Sequence, residues 1–179
     1  MSEYIFLEDR ILDETGAEVM MSWETPMMEK HAEVVTENGG DILEIGFGMG
    51  ICSNFIQQHQ IKSHTIIEIH DEVFEKLLLW SKDKPNVIPI KGSWVDSIPN
   101  KQYDGVMLDT WKDNKSGEFK KLILKHVKPG TIFTFYNSYE EKVNGYNYKA
   151  DYIILDVEPD PQEYEYFTGK KYYLPKVVF

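Results

Sequence analysis

The sequence predicts an α/β fold: a mostly parallel sheet with helices on both faces, an antiparallel C-terminal strand, and a short hairpin in front. Three observations predict it. Short apolar, β-branched runs alternate with amphipathic segments between Asp41 and Tyr136, the pattern of parallel strands joined by right-handed helical crossovers. The first run, Asp41-Ile-Leu-Glu-Ile45, stops at the alternating glycines Gly46, Gly48 and Gly50, residues suited to a sharp turn lying against a ligand. The tail holds two more β-rich segments, Tyr152–Val157 and Lys171–Val178, separated by a polar, aromatic stretch suited to a hairpin.

The elements follow in order. Tyr4–Leu12 and Glu18–Ser22 flank the turn sequence Asp13-Glu-Thr-Gly16 and read as a leading hairpin. Thr25 is a candidate N-cap, Pro26 fits the first helical position, and Met27, Met28, His31, Val34 and Val35 repeat at helical spacing. Asn38-Gly39-Gly40 ends that helix. Strands are expected at Asp41–Ile45, His64–Ile69, Asn86–Ile90, Tyr103–Leu108 and Thr131–Tyr136. Helices are expected near Ile51–Gln58, Asp71–Trp80 and Gly117–His126, the last stopped by Lys128-Pro129-Gly130. Nothing repeats and no linker divides the chain. One domain over residues 1–179 is expected, with 1–25 a hairpin and substrate-side segment and 26–179 the core.

With 179 residues, of which 42% are hydrophobic, the chain can bury a substantial core. Its formal charge of −11 is broken by no Lys/Arg cluster. Such a field repels nucleic-acid phosphates and favours small cations. The single cysteine, Cys52, excludes an internal disulfide and a thiolate zinc cluster, and the five histidines lack metal spacing, so no metal is expected. Met-Ser-Glu-Tyr has no signal architecture and no apolar run approaches spanning length. A cytoplasmic location without membrane contact is the expectation; oligomeric state is left open.

The chemistry concentrates at the carboxyl ends of the strands, where ligands of such sheets sit. Glu68 ends the second core run about twenty residues beyond the glycine loop, the distance at which a carboxylate meets the two hydroxyls of a ribose. An adenosine-containing cofactor is therefore expected. A dinucleotide loop reads G-x-G-x-x-G; here its third glycine position is Ile51, and the loop holds no basic residue. G-x-G-x-G after Leu-Glu-Ile resembles the class I, Rossmann-like methyltransferases, which implies S-adenosylmethionine, with a dinucleotide oxidoreductase as the competing reading. Three further strand ends, Gly92–Trp94, Asp109–Trp111 and Asn137–Tyr139, complete the candidate region.

A more specific likeness rests on Leu12-Asp-Glu-Thr-Gly-Ala-Glu-Val-Met-Met21, Trp23-Glu-Thr-Pro26, Leu43-Glu-Ile-Gly-Phe-Gly-Met-Gly50, Ile66-Ile-Glu68, Val87-Ile-Pro-Ile-Lys-Gly-Ser-Trp94, Tyr103-Asp-Gly-Val-Met-Leu-Asp-Thr110 and Lys128-Pro-Gly130. From Leu12 to Asn137 the chain resembles the guanidinoacetate N-methyltransferase family and the related fungal arginine N-methyltransferases. The resemblance implies that Glu24 and Asp109 hold a guanidino group. It implies cofactor contacts from Met20, Met28, Glu44, Gly46, Phe47, Gly48, Met49, Gly50, Ile51, Glu68, Ile69, His70, Gly92, Ser93, Trp94 and Asp109. Asn137, Ser138 and Tyr139 correspond to the segment that encloses the substrate. Relative to the animal enzymes, the N-terminal extension and the segment between Asn137 and Tyr152 are short, which implies a more open site.

Two carboxylates suit guanidine methylation. Guanidinium is a poor nucleophile, planar and protonated, with a pKa above about 12. A carboxylate pair can orient it through charge-assisted hydrogen bonds and accept the proton released on N–C bond formation. Asp109 is assigned as proton acceptor and Glu24 as clamp. Structural readings compete at each position: Glu24 as a helix-start anion, Asp109 as a loop cap, Trp94 and Trp111 as core or rim aromatics, Cys52 as packing. Most of the tyrosines toward the C-terminus (Tyr136, Tyr164, Tyr166, Tyr172, Tyr173) read as packing. The expected function is transfer of a methyl group to a small guanidino compound such as guanidinoacetate or arginine. The alternatives are an arginine side chain in a protein, or a non-catalytic cofactor-binding partner.

Overall fold

The structure, a computed structural model, describes residues 3–112, 115–139, 141–142, 145–159, 167 and 169–179. Seven strands form the main sheet: β4 (Asp41–Ile45), β5 (Ser63–Glu68), β6 (Val87–Lys91), β7 (Tyr103–Leu108), β8 (Val127–Phe135), β9 (Ala150–Asp156) and β10 (Lys171–Val178). Their spatial order is β6-β5-β4-β7-β8-β10-β9. The first five run parallel; β10 pairs antiparallel with both β8 and β9. Helices α1 (Thr25–Val35), α2 (Ile51–Ile56), α3 (Asp71–Ser81), α4 (Trp94–Ser97) and α5 (Ser116–Ile123) make the connections. The order of strands reverses at β4 and β7, so the ends of these neighbours open the crevice that holds the site.

The near-continuous apolar runs of the central strands β4, β7 and β8 are buried on both faces. Ile42, Leu43, Val106, Met107 and Phe133 are each 0% exposed. One cluster, around Leu43, Trp94, Phe119 and Phe133, fills the α4–α5 side of the sheet; another, around Met28, Ala32, Ile42 and Ile56, fills the α1–α2 side. Burying a large apolar side chain contributes roughly 1.5–3 kcal/mol relative to exposure, so these two clusters hold the helices against the sheet behind the loops. No helix among the described residues is long and apolar enough to cross a membrane.

Four local readings change. The leading segment is a three-stranded antiparallel sheet, β1 (Ile5–Phe6), β2 (Arg10–Leu12) and β3 (Glu18–Met21), because the chain turns at Leu7-Glu8-Asp9, with Leu7 N–H donating to the Arg10 carbonyl at 2.9 Å. Thr25 is the first residue of α1, its hydroxyl donating to the Ser22 carbonyl at 2.5 Å, after a 3-10 turn over Ser22–Glu24. Lys128-Pro129-Gly130 lies inside β8 and does not precede it; α5 ends earlier, at Ile123. The tripeptide forms an irregularity in that strand, with Tyr103 opposite Val127 but Gly105 opposite Ile132, and Gly130 at φ 91°. Between β8 and β9 no helix occurs among the described residues. Tyr164 and Tyr166 lie outside the described residues.

Candidate active site

The glycine loop is shaped by close approach. Gly46, Gly48 and Gly50 have φ of 92°, 53° and 73°, a left-handed region that costs other residues about 1 kcal/mol or more. At Gly46 space is also forbidden, since a Cβ there would meet the Asp109 carbonyl oxygen. Gly46 N–H donates to the Ile67 carbonyl and Asp109 N–H to the Ile45 carbonyl, each at 2.9 Å. The loop after β4 and the loop after β7 are thus locked edge to edge at the switch point. Glu68, last in β5, accepts Phe47 N–H at 3.0 Å and His70 N–H at 2.7 Å, which ties the acidic strand end to the same loop.

A cavity opens above these loops, bounded by Gly46, Phe47, Gly48, Glu68, Ile69, Gly92, Ser93, Trp94 and Asp109. Its roof is the N-terminal sheet, which contributes Tyr4, Ile11, Val19 and Met20. Among the contacts that seat that roof, Met20 Sδ accepts Met49 N–H at 3.1 Å, and the Tyr4 ring stacks on His70 at 3.8 Å. A second cavity lies alongside, bounded by Glu24, Asp109, Trp111, Lys112, Phe135, Asn137, Ser138 and Tyr139 among others. Val19, Asp109, Thr110, Trp111 and Lys112 line both. The two spaces therefore meet at the end of β7.

The two carboxylates differ in setting. Glu24 is 2% exposed, and its Oε1 accepts Met21 N–H at 2.8 Å, closing the 3-10 turn that precedes α1. That is the structural role weighed from sequence; the same residue also walls the second cavity. Burial raises the Asp109 carboxyl to about 7, with the negative charges of Glu44 and Glu68 adding to the shift. A carboxyl poised near neutrality can take up a proton where an ordinary one cannot. Burial likewise holds the Cys52 thiol well above its usual range, and a buried neutral thiol is a packing residue.

Several candidates are placed elsewhere. Met28 is wholly buried beneath the loop. The Glu44 carboxylate accepts Ser53 Oγ at 2.6 Å and lies 2.8 Å from His64 Nε2, inside the sheet layer. Met49, Gly50, Ile51 and His70 shape or support the loop without lining either cavity. Asn137 lines the second cavity, but its amide donates to the carbonyls of Glu141 and Tyr173, at 3.0 and 2.9 Å. Its Oδ1 accepts Tyr139 N–H at 3.2 Å, and Tyr139 itself is 57% exposed at the rim. Trp94 is both things weighed: 5% exposed, packed edge-on against Phe119, and on the first cavity's wall. Sequence reasoning reached Thr110 through the Asp109–Trp111 strand end but missed Tyr4, Ile11, Val19, Lys112 and Lys115, because the roof and the β7–α5 loop have no spacing signal linking them. Among the described residues no cluster could hold a metal ion.

Solved structures share this architecture. The N-methyltransferase NodS from Bradyrhizobium japonicum superposes with a TM-score of 0.67 at 10% identity, over 87% of this chain and 96% of that one. TYW2 from M. jannaschii, solved with AdoMet, gives 0.62 at 13% identity over 99% and 84%; these likenesses concern fold. In sequence, protein arginine N-methyltransferase 2 of Candida glabrata is 30% identical over 209 residues, covering 97% of this chain and 50% of the relative. The Saccharomyces cerevisiae protein of the same name is 29% identical over 214 residues, covering 99% and 52%. The chain thus spans about half the length of these curated relatives. Residues 4–147 match the sequence profile of guanidinoacetate N-methyltransferase, and the chain belongs to that family.

Proposed function

We propose that this protein transfers a methyl group from S-adenosylmethionine to a guanidino nitrogen of a small molecule, with guanidinoacetate and arginine as reference acceptors. The observation that carries this reading is the junction of two cavities at Asp109, with Glu24 on the wall of the second. Methyl transfer is an in-line displacement, accelerated by holding the two reactants in contact across such a junction. The first cavity fits the cofactor: glycines without Cβ atoms beside it, a carboxylate at Glu68 for a ribose, and Ile69, Ser93 and Trp94 along the wall. S-adenosylmethionine would supply the electrophilic methyl group there. Glu24 and Asp109 would orient the guanidinium, and Asp109 would accept the proton released from the attacking nitrogen. A cytoplasmic setting belongs to the same reading, in keeping with one buried free cysteine.

The test is S-adenosylhomocysteine release by purified protein over a panel of guanidines and non-guanidine amines. Turnover confined to guanidines is expected; turnover on amines alone would refute the acceptor class. Glu24→Gln keeps an acceptor for Met21 N–H and removes one charge. It is expected to lower kcat/KM for the acceptor by about 100-fold, the scale of a lost charge-assisted contact. S-adenosylhomocysteine affinity, read by calorimetry, should stay within a few-fold, and a matching loss of cofactor binding would remove Glu24 from the acceptor role.

A further inference from the structure

Lys112 is the one cation among the described residues lining the second cavity; the charged groups beside it there are Glu24 and Asp109. Lys115 lines the first cavity alone. The residues outside the described set contain no Lys or Arg. Lys112 is itself engaged, with Nζ 2.6 Å from Asp13 Oδ2, across 99 residues of sequence. Asp13 is fixed in its turn: it is 5% exposed, and its Oδ1 accepts Thr15 N–H at 2.9 Å, Ala17 N–H at 3.0 Å and the Thr15 hydroxyl at 2.5 Å. The Lys112 backbone is in the left-handed region, φ 50°, with the ammonium 5.1 Å over the Trp111 ring. A charge partner buried in a rigid turn engages this ammonium at the roof, although the Lys112 side chain is itself 60% exposed.

We propose that Asp13 is a specificity-determining residue: by engaging Lys112 it leaves the acceptor cavity net anionic, so guanidines with a neutral or cationic remainder are preferred over guanidines bearing a carboxylate. The inference rests on the guanidino-methyltransfer reading and narrows it, ranking guanidinoacetate and free arginine, both of which carry a carboxylate, below guanidines that lack one. A carboxylated acceptor would bring a third negative charge beside Glu24 and Asp109 with its counter-charge already taken, and such like-charge placement is how sites reject a competitor. A neutral alkyl chain or a terminal ammonium meets no such opposition. Two sources share this chemistry, a free alkylguanidine and an arginyl side chain with blocked ends.

The experiment compares kcat/KM for butylguanidine, agmatine and 4-guanidinobutyrate, matched in length, and for N-acetyl-arginine methylamide, in wild type, Asp13→Asn and Lys112→Met. Wild type should favour butylguanidine or agmatine over 4-guanidinobutyrate by about tenfold or more, the scale of one unpaired charge. Asp13→Asn keeps the one oxygen that accepts the turn's hydrogen bonds, frees Lys112, and should close most of that gap; Lys112→Met should leave it or widen it. Ratios between acceptors cancel any loss of folded protein. Equal or better use of 4-guanidinobutyrate by wild type, or an unchanged ratio in Asp13→Asn, overturns the proposal. The blocked arginine separates the sources: its kcat/KM relative to butylguanidine says which one the cavity takes. Turnover of no guanidine at all would instead refute the methyltransfer reading, and this inference with it.

Discussion

Asp109→Asn is expected to lower kcat by about 10²–10⁴-fold, the range for a lost general base, while cofactor affinity changes by no more than a few-fold. The carboxyl stands where both cavities meet, and asparagine keeps its shape while removing the proton acceptor. The pH dependence gives a second readout. With the Asp109 carboxyl at about 7 in the free protein, kcat/KM for the acceptor should climb through neutral pH and level off above it, because this parameter reports the free enzyme's ionisation. In Asp109→Asn that rise should vanish. Stability moves the opposite way. The folded pKa is above the unfolded value of about 3.9, so the folded state binds more protons between roughly pH 4 and 7, and stability falls as pH rises through that window. Asp109→Asn should therefore melt at a higher temperature than wild type at pH 8, with the difference shrinking toward pH 4. A variant that melts lower at pH 8 and keeps the pH ramp would show that another group titrates.

Gly46→Ala is expected to abolish cofactor binding and destabilise the fold by about 3 kcal/mol or more, from left-handed backbone strain combined with a backbone collision. The added methyl would run into the Asp109 carbonyl oxygen at φ 92°. Neither neighbour can yield cheaply, since Gly46 N–H and Asp109 N–H each bond to the adjoining strand end at 2.9 Å. Relief would separate the loops that join the two cavities, so calorimetry should find S-adenosylhomocysteine affinity down by at least about 100-fold. Gly16→Ala is the control: φ is 84°, but nothing lies within 4 Å of the added carbon, so only the conformational cost, about 1 kcal/mol, is expected. Equal melting temperatures for the two variants would show that the contact at Gly46 carries no cost.

Much of this molecule is legible in its sequence. The runs at Asp41–Ile45, His64–Ile69 and Tyr103–Leu108 announced buried parallel strands because both their faces are apolar. Gly46, Gly48 and Gly50 announced the loop because each adopts a backbone that side chains resist. Glu68 and Asp109 were findable because strand ends in such sheets face the ligand. Local chemistry determines these features, so a linear reading reaches them. Glu44 shows where such a reading fails. It occupies a strand position beside the loop, yet its side chain goes to Ser53 and His64, and strand parity alone does not say which face holds a polar partner. Met28 follows the same logic, being drawn into the α1–α2 core.

What the tertiary structure decided is the environment of the site. The Asp109 carboxyl is raised to about 7 because packing desolvates it beside the carboxylates of Glu44 from β4 and Glu68 from β5. Lys112 is engaged by Asp13 through a contact spanning 99 positions, and that ion pair joins the contacts at Tyr4 and Met20 in making the N-terminal sheet a roof. Propensity and periodicity act over a turn or a strand. Desolvation and charge pairing act through space between segments that the folded sheet brings together, so they are settled only once the chain has packed.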